Sequence, residues 1–103
     1  MFVEITVKQE NQILTVFLKG ELDHHTAISV KDTIDMLLVK TPFKVLVLDM
    51  AGVTFMDSSG IGLIAGRYNR VRSIGGSMKI ANPSTSLTRI LKMSGIEKLM
   101  KII

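Results

Sequence analysis

Three adjacent residues with helix-capping side chains, Asp57, Ser58 and Ser59, stand in the segment FMDSSGIG at 55–62. The segment follows an apolar run and precedes a helical pattern. Any one of the three can accept hydrogen bonds from the free N–H groups of a helix's first turn. One cap suffices, so one or two hydroxyls remain at the positive end of the helix dipole. In a partly parallel sheet this position falls at the carboxyl edge, where anions and ligands bind. A serine there can be a nucleophile, a phosphate ligand or a phosphorylation target. The nucleophile reading is weak. Met56 and Gly60 flank Ser58 two places away, and Asp57 and Ile61 flank Ser59, so neither sits in a Gly-x-Ser-x-Gly elbow. His24 and His25 are candidate bases, but so small a domain has little room for a substrate pocket beside its core. With no cysteine and no third histidine, a metal site would need Asp23 or Glu21 as further ligands. Adjacent histidines on a strand or helix point apart, so surface or loop packing is expected for them. Gly60, Gly62 and Gly66 have one residue too many for the dinucleotide fingerprint, and close packing of a helix on a sheet accounts for them. A Walker phosphate loop is absent from the sequence.

The elements that must position these residues are read from periodicity. Val3, Ile5 and Val7 alternate with polar residues, Gln9 to Gln12 suits a turn, and Ile13 to Leu18 forms a second strand of a hairpin. Gly20 to His25 is a connection. Ala27, Val30, Ile34, Leu37 and Leu38 recur at helical spacing, with Asp23 or Thr26 as cap and Thr41-Pro42 as stop. Val45 to Leu48 predicts a strand covered on both faces, or nearly so. Ile61, Ile64, Ala65, Tyr68 and Val71 form a second helical stripe, ended by Gly75-Gly76. Met78 to Ala81 is a strand, Pro83 suits the first turn of a third helix bearing Leu87, Ile90 and Leu91, and Gly95 ends it. Leu99 to Ile103 is a last short strand. The order β-β-α-β-α-β-α-β predicts an α/β fold, a mixed sheet packed by amphipathic helices.

Composition bounds the function. The 103 residues make one domain, and 47% hydrophobic with 21% charged residues is an ordinary globular balance. There is no long apolar span and no signal-like start, so no membrane role is expected and the cytoplasm is the expected setting. The net charge of +4 divides into −2 over residues 1–52 and +6 over 53–103. Arg67, Arg70, Arg72, Arg89 and Lys92 are expected on a solvated basic face. Without interleaved aromatics or a groove-reading motif, specific nucleic-acid binding is not expected.

GELDHHTA at 20–27, the stretch 45–76 around FMDSSG, and LKMSGIEKL at 91–99 together resemble the STAS-domain family, in particular the bacterial anti-sigma factor antagonists of sporulation. The resemblance covers nearly the whole chain. It implies a cytoplasmic switch in transcription regulation rather than an enzyme, with no cofactor. The implied partner is an anti-sigma factor that is also a serine kinase; a serine phosphatase reverses its action. The resemblance further implies Ser58 as phosphoacceptor and Asp23, His24, Asp57, Ser58, Ser59 and Gly60 as the partner-binding set. The family's usual C-terminal helix has no counterpart within 1–103, read as a single STAS domain. A nucleotide-binding domain and a scaffold module of another signalling complex are the rival readings.

Overall fold

The computed structural model describes residues 3–103. Strand β1 (Glu4–Glu10) and strand β2 (Ile13–Leu22) form the opening hairpin. Only Asn11 and Gln12 lie between them, both at positive φ (53° and 67°), as a two-residue primed turn requires. Helix α1 (Ala27–Lys40) leads to strand β3 (Val45–Met56), helix α2 (Ser58–Ser73), strand β4 (Ser77–Ala81) and helix α3 (Thr85–Ser94). A single 3-10 turn at Ile96–Lys98 then precedes strand β5 (Lys101–Ile102). The five strands lie in the order β1-β2-β3-β4-β5, with the hairpin antiparallel and the other pairs parallel. The mixed α/β sheet matches the expected order of elements.

Several boundaries differ from expectation, each for a physical reason. β2 runs on through Gly20, Glu21 and Leu22, and β3 continues from Leu48 to Met56, because the two strands pair along this length through two register shifts. Asp49, Ala51 and Gly52 are poor strand formers, and the pairing overrides them. Pro83 lies outside α3: Ser84 is the cap, accepting from Leu87 N–H at 3.2 Å, and Gly95 at φ 84° closes the helix.

The core lies on one face of the sheet. Leu14, Val16, Leu18, Leu46, Leu48, Met50, Met78 and Ile80 are buried there. They meet Val30, Ile34 and Leu38 of α1, Leu63, Ile64 and Val71 of α2, and Leu87 and Leu91 of α3. The other face is only partly covered: Val45 and Val47 are half-buried, and Ile13 and Phe17 are exposed. β3 is thus covered on one face, not both. The buried stripe of α2 is also turned from the expected one. It runs through Gly60, Leu63, Ile64, Arg67 and Val71, leaving Ile61, Ala65 and Tyr68 half-buried.

Candidate functional site

The site lies where β2 and β3 end side by side. The Asp57 backbone N–H donates to the Leu22 carbonyl at 3.3 Å, tying the start of α2 to the strand that feeds α1. Asp57 is the N-cap of α2. Its backbone is extended, and its carboxylate accepts from the Ser59 N–H at 2.8 Å. Its carbonyl accepts from Gly60 N–H at 3.0 Å. Loss of solvent pushes the Asp57 carboxyl up. Hydrogen bonds from the Ser59, His24 and Gly60 backbone N–H groups and from the Ser59 side chain outweigh this and hold its pKa below the usual value.

With the cap assigned to Asp57, the Ser58 hydroxyl is left over. Ser58, the first residue of α2, is exposed, and among the described residues its hydroxyl has no hydrogen-bond partner. Ser59 is half-buried and faces a groove of about 280 Å³ between α1 and α2. Gly60 is buried because a side chain there would overlap Met56 and stand 2.9 Å from the Leu22 carbonyl. Close packing therefore accounts for Gly60 alone. A side chain at Gly62 or Gly66 would meet nothing within 4 Å, and both residues line the α1–α2 groove.

Asp23 is used internally. It is 7% exposed, and its carboxylate accepts from the N–H groups of His25 at 2.9 Å and Thr26 at 3.2 Å. The buried Thr26 hydroxyl donates to the Glu21 carbonyl at 2.7 Å. These bonds shape the turn that opens α1 and present His24 beside α2. His24 Nδ1 lies 3.8 Å from the Asp57 carboxylate. The two histidines occupy a turn, so their rings do not point apart but pack at 3.9 Å between centroids. The structure thus gathers His24, Asp57, Ser58 and Ser59 at one surface, with Asp23 and Gly60 beneath as supports.

Arg67 departs from the expected solvated face. It is 7% exposed and lies across from α1, its Nε 3.0 Å from Asp35 Oδ1. Lys31 and Arg70 approach the same carboxylate at 3.3 and 3.8 Å. The signal was present in the sequence: Arg67 stands four residues from both Leu63 and Val71, on their stripe.

Comparison with known proteins gives the family of the chain. Residues 4–103 match the STAS domain. The chain is 37% identical over 102 residues to the anti-sigma F factor antagonist of Paenibacillus polymyxa, covering 99% of this chain and 87% of that protein. It is 28% identical over 103 residues to the anti-sigma-B factor antagonist of Bacillus subtilis, covering 99% and 92%. Among solved structures, the phosphorylated form of the Bacillus cell fate determinant SpoIIAA is similar at TM-score 0.73 and 25% identity, covering 97% of this chain and 91% of that one. An anti-sigma factor antagonist from Mycobacterium paratuberculosis shares the fold at TM-score 0.87 and 21% identity, covering 97% and 84%.

Proposed function

Because the chain belongs to the STAS-domain family, we propose that it is an anti-sigma factor antagonist switched by phosphorylation of Ser58. In the unphosphorylated form it binds an anti-sigma factor with serine kinase activity through the surface of His24, Asp57, Ser58 and Ser59, and so frees the sigma factor. Asp23 and Gly60 support that surface from beneath. Transfer of a phosphoryl group to the Ser58 hydroxyl ends binding, and a serine phosphatase restores it. The setting is the cytoplasm. Sporulation is the process that the resemblance of GELDHHTA and FMDSSG to the family's sporulation antagonists implies.

The observation that carries this reading is the exposed Ser58 hydroxyl at the first turn of α2, left unused because Asp57 caps the helix. Phosphate adds about −1.5 to −2 charges. Within the chain the helix terminus favours an anion by about 0.3–1 kcal/mol, while the neighbouring Asp57 carboxylate opposes it. These terms largely offset one another, so the fold is retained. At an interface that had accepted a neutral hydroxyl, an unpaired charge must be desolvated, which costs several kcal/mol. A charge switch therefore needs no refolding.

Mass spectrometry after incubation with the cognate kinase and ATP tests the assignment. Phosphate on Ser58 is expected, and phosphate on Ser59 or Thr54 with Ser58 clean would overturn it. Ser58→Asp is expected to melt like the parent and to bind the nucleotide-loaded kinase about a hundredfold more weakly. Unchanged affinity would reject the charge switch.

A further inference from the structure

The sheet has two edges of unequal length. At one, β5 offers only Lys101 and Ile102. At the other, β1 offers Glu4–Glu10 in unbroken register with β2. Edges of soluble sheets are commonly blunted by proline, by a bulge or by charges turned inward. β1 has none of these. Its helix-covered face carries Ile5, Val7 and Gln9, opposite Leu18, Val16 and Leu14 of β2. Val7 is 44% exposed there, and Ile5 beside it is half-buried. The tight turn fixes which backbone groups of β1 are spare. Glu10 and Ile13 flank the two-residue primed turn and so form a hydrogen-bonded pair. Antiparallel pairs alternate, so Lys8–Thr15, Thr6–Phe17 and Glu4–Lys19 are hydrogen-bonded as well. The N–H and C=O groups of Ile5, Val7 and Gln9 therefore point outward. Among the described residues, no backbone group outside the sheet bonds to them.

A second β1 can meet this edge antiparallel, about a two-fold axis normal to the sheet. Opposed residues then share a face, and the residue on the axis meets its own copy. With Thr6 on the axis, Glu4 opposes the partner's Lys8, and Lys8 opposes the partner's Glu4. Ile5 opposes the partner's Val7, which covers exposed apolar surface on the helix side. The spare groups coincide in this register. Ile5 exchanges both hydrogen bonds with the partner's Val7, and Val3 does so with the partner's Gln9. The neighbouring registers lack this match. An axis at Val7 sets Glu4 against the partner's Glu10, and an axis at Lys8 sets two lysines together. An axis at Ile5 shortens the overlap and leaves Glu4 against the partner's Thr6. Opposite charges directly across a ladder stabilise it and like charges destabilise it, so charge selects the Thr6 axis.

We propose that the β1 edge is a self-association surface, on which two copies of the chain join about Thr6 into one continuous sheet with every helix on the same side. The contact is one strand deep, at the small end of specific interfaces, so its Kd is on the order of 10–100 μM. The short β5 edge cannot extend the assembly, so it closes as a dimer. The Ser58 surface stays free in both copies. Leu22, where that surface begins, lies about 17 Å along β2 from Phe17, the residue paired with Thr6. The two-fold axis runs the two β2 strands in opposite directions, so the two Ser58 surfaces lie at opposite ends of the dimer.

Sedimentation equilibrium of the whole chain from about 5 to 500 μM tests this. A reversible monomer–dimer equilibrium is expected. A monomer at every concentration, or association that continues past the dimer, would overturn the proposal. Val7→Pro removes an outward N–H that the monomer leaves unused, and should weaken the dimer at least about tenfold. Circular dichroism checks that it is folded, and the charge variants decide independently of it. Glu4→Lys and Lys8→Glu each create two like-charge contacts, so each should weaken self-association about tenfold. Mixed in equal amounts, the two variants regain both opposite-charge pairs in a heterodimer and should associate like the parent. No recovery in the mixture would overturn the Thr6 axis. Glu10→Lys makes the same charge change outside the paired set and should shift the equilibrium less than about threefold. Tighter association of that variant would assign the Val7 axis instead and overturn the register. Amide hydrogen exchange reads the parity of the bonds. Exchange at Ile5, Val7 and Gln9 should slow as concentration rises, while Thr6 and Lys8, already bonded to β2, should stay constant. A concentration effect centred anywhere but β1 would place the contact elsewhere and overturn the proposal.

Discussion

Two glycines on one helix should respond to alanine with opposite signs. At Gly60 a Cβ would overlap Met56 Cγ and stand 2.9 Å from the Leu22 carbonyl, whereas ordinary contacts begin at 3.4 Å. Met56 can yield only by turning its Cγ within the core, where it is buried. The Leu22 carbonyl cannot, because it accepts the Asp57 N–H and belongs to β2. The first turn of α2 must therefore lift by about half an ångström. Overpacking of this kind costs about 1–3 kcal/mol. Alanine returns about 0.5–1 kcal/mol through helix propensity, so Gly60→Ala should be net destabilising, by up to about 2.5 kcal/mol. At Gly66, in the middle of the same helix, the added methyl meets nothing within 4 Å. There the propensity gain stands alone, and Gly66→Ala should gain about 0.5–1 kcal/mol. Thermal melts by circular dichroism read the contrast directly, since about 1 kcal/mol moves Tm by roughly 4–8 °C in a domain of this size. A Gly60→Ala protein as stable as the parent would refute the argument, because the close approach would then not be what seats α2.

Two further predictions concern charges. The folded pKa of Asp57 lies below its ordinary value of 3.8, so its contribution to stability is present above that value and is lost as pH falls through the folded pKa. Asp57→Asn keeps an acceptor for the Ser59 N–H but loses the charge, so it should be somewhat less stable near neutral pH and show a flatter acid limb below about pH 3.8, as read by urea midpoints against pH. Asp35→Ala leaves the buried Arg67 without its carboxylate and should cost about 3–5 kcal/mol. Arg67→Met leaves Asp35 beside Lys31 and Arg70 and should cost clearly less, so equal losses by urea denaturation would reject the ranking.

The order of elements was legible because apolar periodicity switches cleanly between strand and helix along this chain. α1 shows it best: Val30, Ile34 and Leu38, read from spacing, are its buried residues. The second half of β3 was not legible, because Asp49, Ala51 and Gly52 argue locally against a strand, and only pairing with β2 makes them one. The phase of α2 was misread because Arg67 was taken as polar and therefore outward, when a carboxylate on α1 was waiting for it. Residue types at Asp57 and Ser58 announced a capped helix start with a spare hydroxyl. Which side chain caps, and that Asp23 is spent inside its own turn, depended on geometry that types do not carry.

The strands lie across the sheet in the order in which they occur in the chain. Register partners are 32 residues apart between Ile13 and Val45, again 32 between Val45 and Ser77, and 22 between Lys79 and Lys101. Each pairing thus closes a loop of one crossover and no more, and loop-closure entropy rises only slowly with such lengths. Read as a growth sequence, the hairpin can form first from purely local contacts. Every later strand then docks on the edge left by its predecessor as synthesis proceeds from the N-terminus. No strand waits for a partner made two units later, so the exposed edge moves along the chain and is covered by the next segment to emerge.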